Sequence, residues 1–411
     1  MSFKDLQLNK PILRAIAEAG YDNPTLIQQK AIPAILEGRD VIASAQTGTG
    51  KTAAFALPIL QRLLHKQDAP KTGKKVKALI VSPTRELAQQ IEQNFITYST
   101  HTQLRTAAAV GGVAIEPQKE ALKKGVDILV ATPGRLLDLH KQEAVNLTAV
   151  EILVLDEADM MLDMGFLDDV QKIERLCPSD KQSLLFSATI PYKVEKFAQS
   201  ILLQPERIAI NPNEATTDKV AQLLYYVPKP QKIELCIYVL RNTIKGNVII
   251  FRRTKYGVDK LESSLTKNGY TVASIHGDKS QTERQEALKE FKKGNAQILI
   301  ATDVAARGID ISDLDAVINF DVPNVTDTYV HRTGRTARAG KEGITYTFCS
   351  ADEKNYIANI QKAIGIQLDV IKDHPFPLDP EAKPQVHKKQ GSKYKKGRKS
   401  TASKKKKKRW Y

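Results

Sequence analysis

The chain reads as an α/β protein with two domains built on parallel sheets, followed by a disordered basic tail. Short, nearly continuous apolar runs alternate with helical periodicity, the pattern of strands buried on both faces. The series occurs twice, on either side of a polar segment. At 411 residues the chain also exceeds what a single hydrophobic core organises.

In the first half, strands are expected at Asp40–Ala43, Lys77–Ser82, Val126–Val130, Ile152–Leu155 and Ser183–Phe186. Ala56, Ile59, Leu60, Leu63 and Leu64 follow the first of these at helical spacing, and Pro58 lies where it would kink that helix. The stretch Ala209–Asp218 is polar and turn-prone and reads as a linker. Strands are expected again at Asn247–Phe251, Thr271–Ile275, Gln297–Ala301, Ala316–Phe320 and Ile344–Phe348. Order is expected to end near Asp373, where Pro-rich residues lead into the tail. The boundaries are therefore 1–208 for the first domain, 209–220 for the linker, 221–373 for the second domain and 374–411 for the tail.

The formal charge of +16 is concentrated at one end. Residues 384–411 hold 13 Lys or Arg and no acid, and the 49 basic and 46 acidic residues that remain leave the body at +3. A stretch of Lys, Arg, Gly and Ser has no apolar pattern with which to build a core. It reads as an arm for a polyanion, in which Tyr394, Trp410 and Tyr411 are available to stack on bases. A merely solubilising tail is the plainer alternative. Cys177, Cys236 and Cys349 are scattered and odd in number, which fits buried thiols in a reducing compartment and excludes zinc spacing. No apolar run reaches membrane-spanning length, and the N-terminus lacks a signal-peptide core.

Residues 45–52, AQTGTGKT, follow a strand and open a helix. In such a loop successive backbone N–H groups point at one phosphate, and the helix N-terminus adds positive potential. Lys51 is placed to neutralise β- and γ-phosphate oxygens and Thr52 to offer a hydroxyl to Mg²⁺. Ala45 stands where the common pattern has Gly. The sequence Asp156-Glu-Ala-Asp159 follows the run Ile152–Leu155, so two carboxylates sit at a strand's C-terminal end, where open parallel sheets bind ligands. Asp156 suits Mg²⁺ held through water, and Glu157 suits polarising an attacking water. Met160, Met161 and Met164 follow at helical spacing and read as core. The second half lacks a P-loop but carries His331-Arg-Thr-Gly-Arg-Thr-Ala-Arg338. Arg335 and Arg338, three apart, would point the same way on a helical turn and suit phosphate oxygens.

In motif order over roughly residues 3 to 350 the chain resembles the DEAD-box ATP-dependent RNA helicases, most of all the bacterial RhlE-type branch. The resemblance implies two RecA-like domains joined by a flexible linker. It implies that Phe3 and Gly20–Gln28 read adenine, with Tyr21 stacking on the base and Gln28 bonding its edge through both ends of its amide. Ala45, Gln46, Thr47, Gly48, Thr49, Gly50, Lys51 and Thr52 would cradle ATP, and Asp310 would contact the ribose. Ser187 and Thr189 would couple hydrolysis to domain movement. His331, Arg335 and Arg338 would complete the site from the second domain. An RNA path would run over Pro83, Thr84, Arg85, Gly112, Thr132 and Arg135, then Arg252, Gly277, Gln281, Arg284, Thr302 and Arg307. Thr333 and Ala337 depart from the frequent family residues without removing a phosphate-facing group.

The activity so implied is RNA-stimulated ATP hydrolysis, with ATP and Mg²⁺ as cofactors, coupled to local opening of short duplexes or remodelling of RNA–protein particles. The expected protein is a cytoplasmic monomer that acts on single strands and short duplexes without sequence preference. Ribosomal particles and RNA-decay machinery are candidate partners. An ATP-gated clamp or ribosome-assembly scaffold with little unwinding is the alternative, and a DNA helicase shares the tandem fold.

Overall fold

In the computed structural model the described residues are 1–45, 48–65, 75–210, 220–306, 309, 311, 314–336 and 343–378. Fourteen strands form two seven-stranded sheets among them. The first sheet contains β1 (Val41–Ser44), β2 (Ala78–Val81), β3 (Thr106–Ala109), β4 (Ile128–Ala131), β5 (Ile152–Leu155), β6 (Gln182–Ser187) and β7 (Glu206–Ala209). The second contains β8 (Val220–Tyr226), β9 (Val248–Arg252), β10 (Val272–Ile275), β11 (Ile298–Thr302), β12 (Ala316–Asn319), β13 (Gly343–Cys349) and β14 (Asp369–Val370). The orders are β3-β4-β2-β5-β6-β1-β7 and β10-β11-β9-β12-β13-β8-β14. One is the other advanced by seven strands, and all pairings are parallel. These are two tandem RecA-like domains.

The apolar runs are continuous because helices cover both faces of each sheet. Side chains alternate along a strand. Ile80 and Val154 therefore join one core layer, while Leu79 and Leu153 join the other. In the second sheet Ile250 and Ile249 divide in the same way. Met160 and Met161 are buried. The helix Lys51–His65 runs through Pro58.

Four strands escape the sequence reading. β3 is Thr-Ala-Ala-Ala and carries little strand signal, but the carboxylate of Glu92 takes its Ala108 N–H at 2.7 Å. β7, β8 and β14 complete the sheets beside β1 and β13. The expected linker is correspondingly shorter. Ala209 belongs to β7, the Ile210 N–H bonds Ser44 O at 2.9 Å, and β8 begins at Val220. The second domain also continues past Asp373. His374 packs its ring 5.4 Å from that of Tyr225, Phe376 joins the core, and Leu378 N–H bonds Tyr226 O at 3.0 Å. Two side chains and one backbone N–H of this Pro-rich stretch thus pack against the β8 end of the sheet. Residues 379–411 lie outside the described residues, and so does the expectation of a disordered tail for that stretch.

Candidate functional site

The strand β1 delivers Ala45, whose N–H bonds Ser187 O at 3.1 Å, and the helix Lys51–His65 begins six residues later. Gly48 and Gly50 take φ of 83° and 92°. A Cβ on Gly50 would lie 2.4 Å from Gln28 Nε2, so this position needs glycine for both its dihedral and its space. Gln28 is itself buried behind the loop. It closes a capping box with Thr25, accepting the Thr25 N–H at 3.0 Å, and donates Nε2 to Gly50 O at 3.2 Å. Both ends of its amide are engaged within the protein. Gln28 thus braces the phosphate loop from behind, with a second Nε2 hydrogen and a second Oε1 lone pair left beyond these two bonds. Phe3 is 5% exposed and packs in the core. Tyr21 is 40% exposed, with its hydroxyl 3.1 Å from that of Tyr98. Thr49 and Thr52 are half-buried on the loop and the first helical turn; Gln46 and Thr47 lie outside the described residues.

Two strands from β1 and parallel to it, β5 delivers Asp156 and Glu157 on the same sheet edge. Lys51 Nζ lies 2.8 Å from Glu157 Oε1, and both side chains are buried. Burial alone would lower the Lys51 ammonium's pKa, but the charges of Glu157, Asp156 and Asp159 outweigh it and raise the value. Glu157 adopts φ 52°, ψ 53°, a left-handed conformation costing about 1–2 kcal/mol for a non-glycine residue. Such strain persists where the surroundings hold it. Asp156 is 2% exposed, and burial followed by the charge of Glu157 pushes its carboxyl up to about 7. Its Oδ1 has no hydrogen-bond partner among the described residues. A buried carboxylate oxygen without a donor fits a hard divalent cation that takes oxygen ligands.

Asp159 ties this motif to the end of β6. Its N–H bonds Ser187 Oγ at 3.1 Å, and its carboxylate accepts Thr189 N–H and Oγ1–H at 2.9 Å each. Burial would raise its pKa, but the charges of His331 and Lys51 and the Thr189 bonds hold it below the usual carboxylate value. The His331 effect crosses between domains.

In the second domain His331 lies on the helix Thr326–Thr333, and Gly334 ends that helix. Arg335 therefore stands beyond it, not on the helical turn expected from its spacing to Arg338. It is buried, and Nη1 donates to Ile309 O at 2.5 Å. Arg338, Asp310 and Arg307 lie outside the described residues. A narrow pocket here is lined by Phe251, Asp303, Thr328, His331, Arg332 and Arg335, among others. Sequence reading passed over Arg332. Its guanidinium holds Asp303 by two bonds of 2.6 and 2.7 Å and reaches Asn319 Oδ1 at 3.0 Å and Asp321 O at 2.8 Å. It also lies over the Phe251 ring at 4.9 Å. The density of arginine between residues 332 and 338 was the available signal.

Along the expected RNA path, Thr84 caps the helix Arg85–Tyr98 by accepting Leu87 N–H at 3.3 Å, and Pro83 is buried before it. The Arg85 guanidinium lies across Gly111-Gly112. A Cβ on Gly112, whose φ is 74°, would fall 1.8 Å from its Nη1. Arg135 joins them, donating to Val113 O at 3.0 Å, and Thr132 precedes its helix. These residues form one surface. Across the cleft Thr302 ends β11, and Gly277 has open space beside it.

Three residues of the expected RNA path have partners within the protein. Gln281 Nε2 and Arg284 Nη2 reach Glu86 Oε1 of the first domain at 2.9 and 3.2 Å, and Gln285 bonds Gln89 at 2.9 Å. Glu86 is a buried carboxylate and draws these donors across the interface. Arg252 turns inward, with its Nε 3.0 Å from Asp321 Oδ2 and its guanidinium 4.0 Å from the Phe320 ring centroid. The more exposed cation at that strand end is Arg253.

Comparison with known proteins fits this geometry. Residues 25–197 match the DEAD/DEAH box helicase family, and residues 231–340 match the helicase conserved C-terminal domain. The DEAD-box ATP-dependent RNA helicase RhpA of Helicobacter pylori is 42% identical over 90% of this chain and 74% of its own length. The ATP-dependent RNA helicase CshA of Limosilactobacillus reuteri is 41% identical over the same shares. S. cerevisiae Dbp5 bound to RNA and ADP BeF3 superimposes with a TM-score of 0.80 at 32% identity, over 90% of this chain and 95% of that one.

Proposed function

The chain belongs to the DEAD-box ATP-dependent RNA helicases, and on that premise we propose how its own residues run the ATP and RNA cycle. The carrying observation is the buried Lys51–Glu157 pair beside an Asp156 oxygen that lacks a donor. Lys51 exchanges Glu157 for the β- and γ-phosphate oxygens of ATP, which frees Glu157 to orient the attacking water. Asp156 and Thr52 hold Mg²⁺, largely through water; when bound, the ion neutralises charge on the phosphates. Tyr21 packs on adenine, and Gln28 keeps the loop in register from behind.

His331, Arg335 and Arg338 face the γ-phosphate from the second domain, and Asp310 bonds the ribose. Asp159, with Ser187 and Thr189, reports the state of the phosphate to the interface. Arg85, Gly112, Thr132 and Arg135 hold one stretch of RNA backbone, and Gly277, Thr302 and Arg307 the next. These groups suit phosphate and 2′-OH contacts rather than base edges, so binding is independent of sequence. ATP and RNA close the cleft together, a bent strand loses its complement over a few base pairs, and hydrolysis reopens the cleft.

We further read the chain as an RhlE-type member that acts as a cytoplasmic monomer on ribosomal particles or with RNA-decay machinery. The test is ATP turnover with and without RNA, beside strand displacement on short and long duplexes. RNA-stimulated turnover with displacement of short duplexes only is the expected result. Stimulated turnover with no displacement at any length would identify an ATP-gated clamp.

A further inference from the structure

The two sheets share one strand order, so each part of the ATP site has a counterpart in the second domain. β8 occupies the place of β1, β12 that of β5 and β13 that of β6. Six residues separate β1 from the helix that opens at Lys51, and five separate β8 from the helix Lys232–Asn242. A lysine is the first helical residue in both. Lys232 is 2% exposed, more deeply buried than Lys51.

The counterpart loop has no cradle. It reads Val227-Pro-Lys-Pro-Gln231, so two positions lack an N–H. The Val227 N–H is bonded to Cys349 O and the Gln231 N–H to Pro228 O. The donors converge instead on one carboxylate. Glu353, 4% exposed, accepts Lys232 Nζ at 2.5 Å and Ser350 N–H at 3.1 Å on Oε2, and the Ser350 hydroxyl, with one proton to give, lies 2.8 Å from that oxygen and 2.6 Å from Asp352 Oδ1. Its Oε1 accepts Val322 N–H and Arg253 Nη2, each at 3.2 Å. An ammonium at a helix start, two backbone amides, a hydroxyl and a guanidinium form the donor set that proteins use for phosphate oxygens.

We propose that the second domain retains the oxyanion pocket of a nucleotide-binding sheet and keeps it filled with its own Glu353 carboxylate, which stands where phosphate oxygens would bind. The ligand class of the pocket is a small oxyanion such as inorganic phosphate. Glu353 excludes it. The same carboxylate joins the ends of β9, β12 and β13 to the helix Lys232–Asn242, so that edge moves as one body.

The test is Glu353→Ala in the full chain, in a Lys51→Ala background so that the first-domain phosphate loop does not dominate. Thermal unfolding is followed in phosphate, in acetate and in chloride at matched ionic strength. Removing one partner of a buried charge cluster should lower the second-domain transition by roughly ten degrees in chloride. Phosphate should restore part of that loss saturably, and should leave Lys51→Ala with native Glu353 unchanged. Equal transitions in all three salts would overturn the proposal and leave Glu353 an ordinary ion-pair partner. Rescue by acetate alone would overturn the phosphate class. If the variant does not fold in chloride, the yield on dilution from urea decides between the same readings: recovery in phosphate alone, or in phosphate and acetate, supports the pocket. Equal failure in every salt, or recovery in acetate alone, refutes it.

Discussion

The Lys51 ammonium rests on the Glu157 carboxylate at 2.8 Å, so the cation for phosphate and the carboxylate for water neutralise each other inside the protein. Neither charge would be tolerated alone at that depth. On the proposed reading, phosphate replaces Glu157 at Lys51, and the carboxylate so freed orients the attacking water. Binding and activation are thus one exchange.

Lys51→Ala should abolish ATP turnover, because the β- and γ-phosphates lose their point charge. Glu157→Gln should bind ATP and RNA yet turn over slowly, holding RNA longer than wild type when ATP is present. Filter binding with an unlabelled RNA chase separates the two. Turnover near wild type in Lys51→Ala, or ordinary RNA release in Glu157→Gln, contradicts the exchange.

Asp156 gives a pH prediction. Burial and Glu157 raise its carboxyl to about 7 from an ordinary 3.8, so the folded chain holds that proton more tightly than the unfolded one. The contribution to stability is full below about pH 4 and is lost as pH rises through about 7, on the order of a few kcal/mol. Asp156→Asn should therefore stabilise the ligand-free first domain at pH 8, leave it nearly unchanged at pH 4, and destroy Mg²⁺-dependent turnover. Denaturant midpoints at the two pH values check this. A variant less stable than wild type at pH 8 would show that the charged form is not penalised.

The Glu86 contacts predict coupling rather than affinity. Gln281→Ala and Glu86→Gln each weaken a bond that exists only between domains. RNA affinity with a non-hydrolysable ATP analogue should fall several-fold, while affinity without nucleotide stays unchanged. Equal losses in both conditions would return Gln281 to the RNA surface, where its sequence position had placed it.

What was legible in the sequence was contiguous. The phosphate loop, the acidic motif and the buried strands each declare themselves within a few residues, since backbone geometry and strand burial act locally. What was missed depends on pairing at a distance. Glu86 and Gln281 lie 195 residues apart, and no periodicity marks a carboxylate that will be buried by another domain. Nor does a strand end reveal that Phe320 and Asp321 will pack against the Arg252 guanidinium. Only the fold shows the Gln28 amide bonded to Gly50 and Thr25.

On the second-domain face the arginines should separate by role. Arg335→Ala and Arg338→Ala should each lower the maximal rate by about 10³-fold or more, as transferred arginines do, with nucleotide binding to the first domain unaltered. Arg332 acts through Asp303 and Phe251. Arg332→Lys keeps the charge but loses the two-point grip, so it should lower the rate and also the second-domain transition temperature. Turnover within a few-fold of wild type in both Arg335→Ala and Arg338→Ala would remove them from the reaction.

The basic C-terminal stretch makes the last prediction. Deleting residues 384–411 removes 13 positive charges and no acidic ones, and leaves a body near +3. The second sheet is already closed by β14, Phe376 and Leu378, so its core needs nothing from that stretch. Each phosphate neutralised by Lys or Arg releases condensed counterions, so affinity lost on truncation should be salt-dependent. RNA affinity should weaken, its dependence on salt should flatten, and more RNA should be needed for half-maximal ATPase. The maximal rate at saturating RNA should hold, because the reacting groups all lie before residue 339. Titrations at several salt concentrations check each part. Unchanged affinity and slope would make the stretch a solubilising tail, and a lost maximal rate would place it in the reaction cycle.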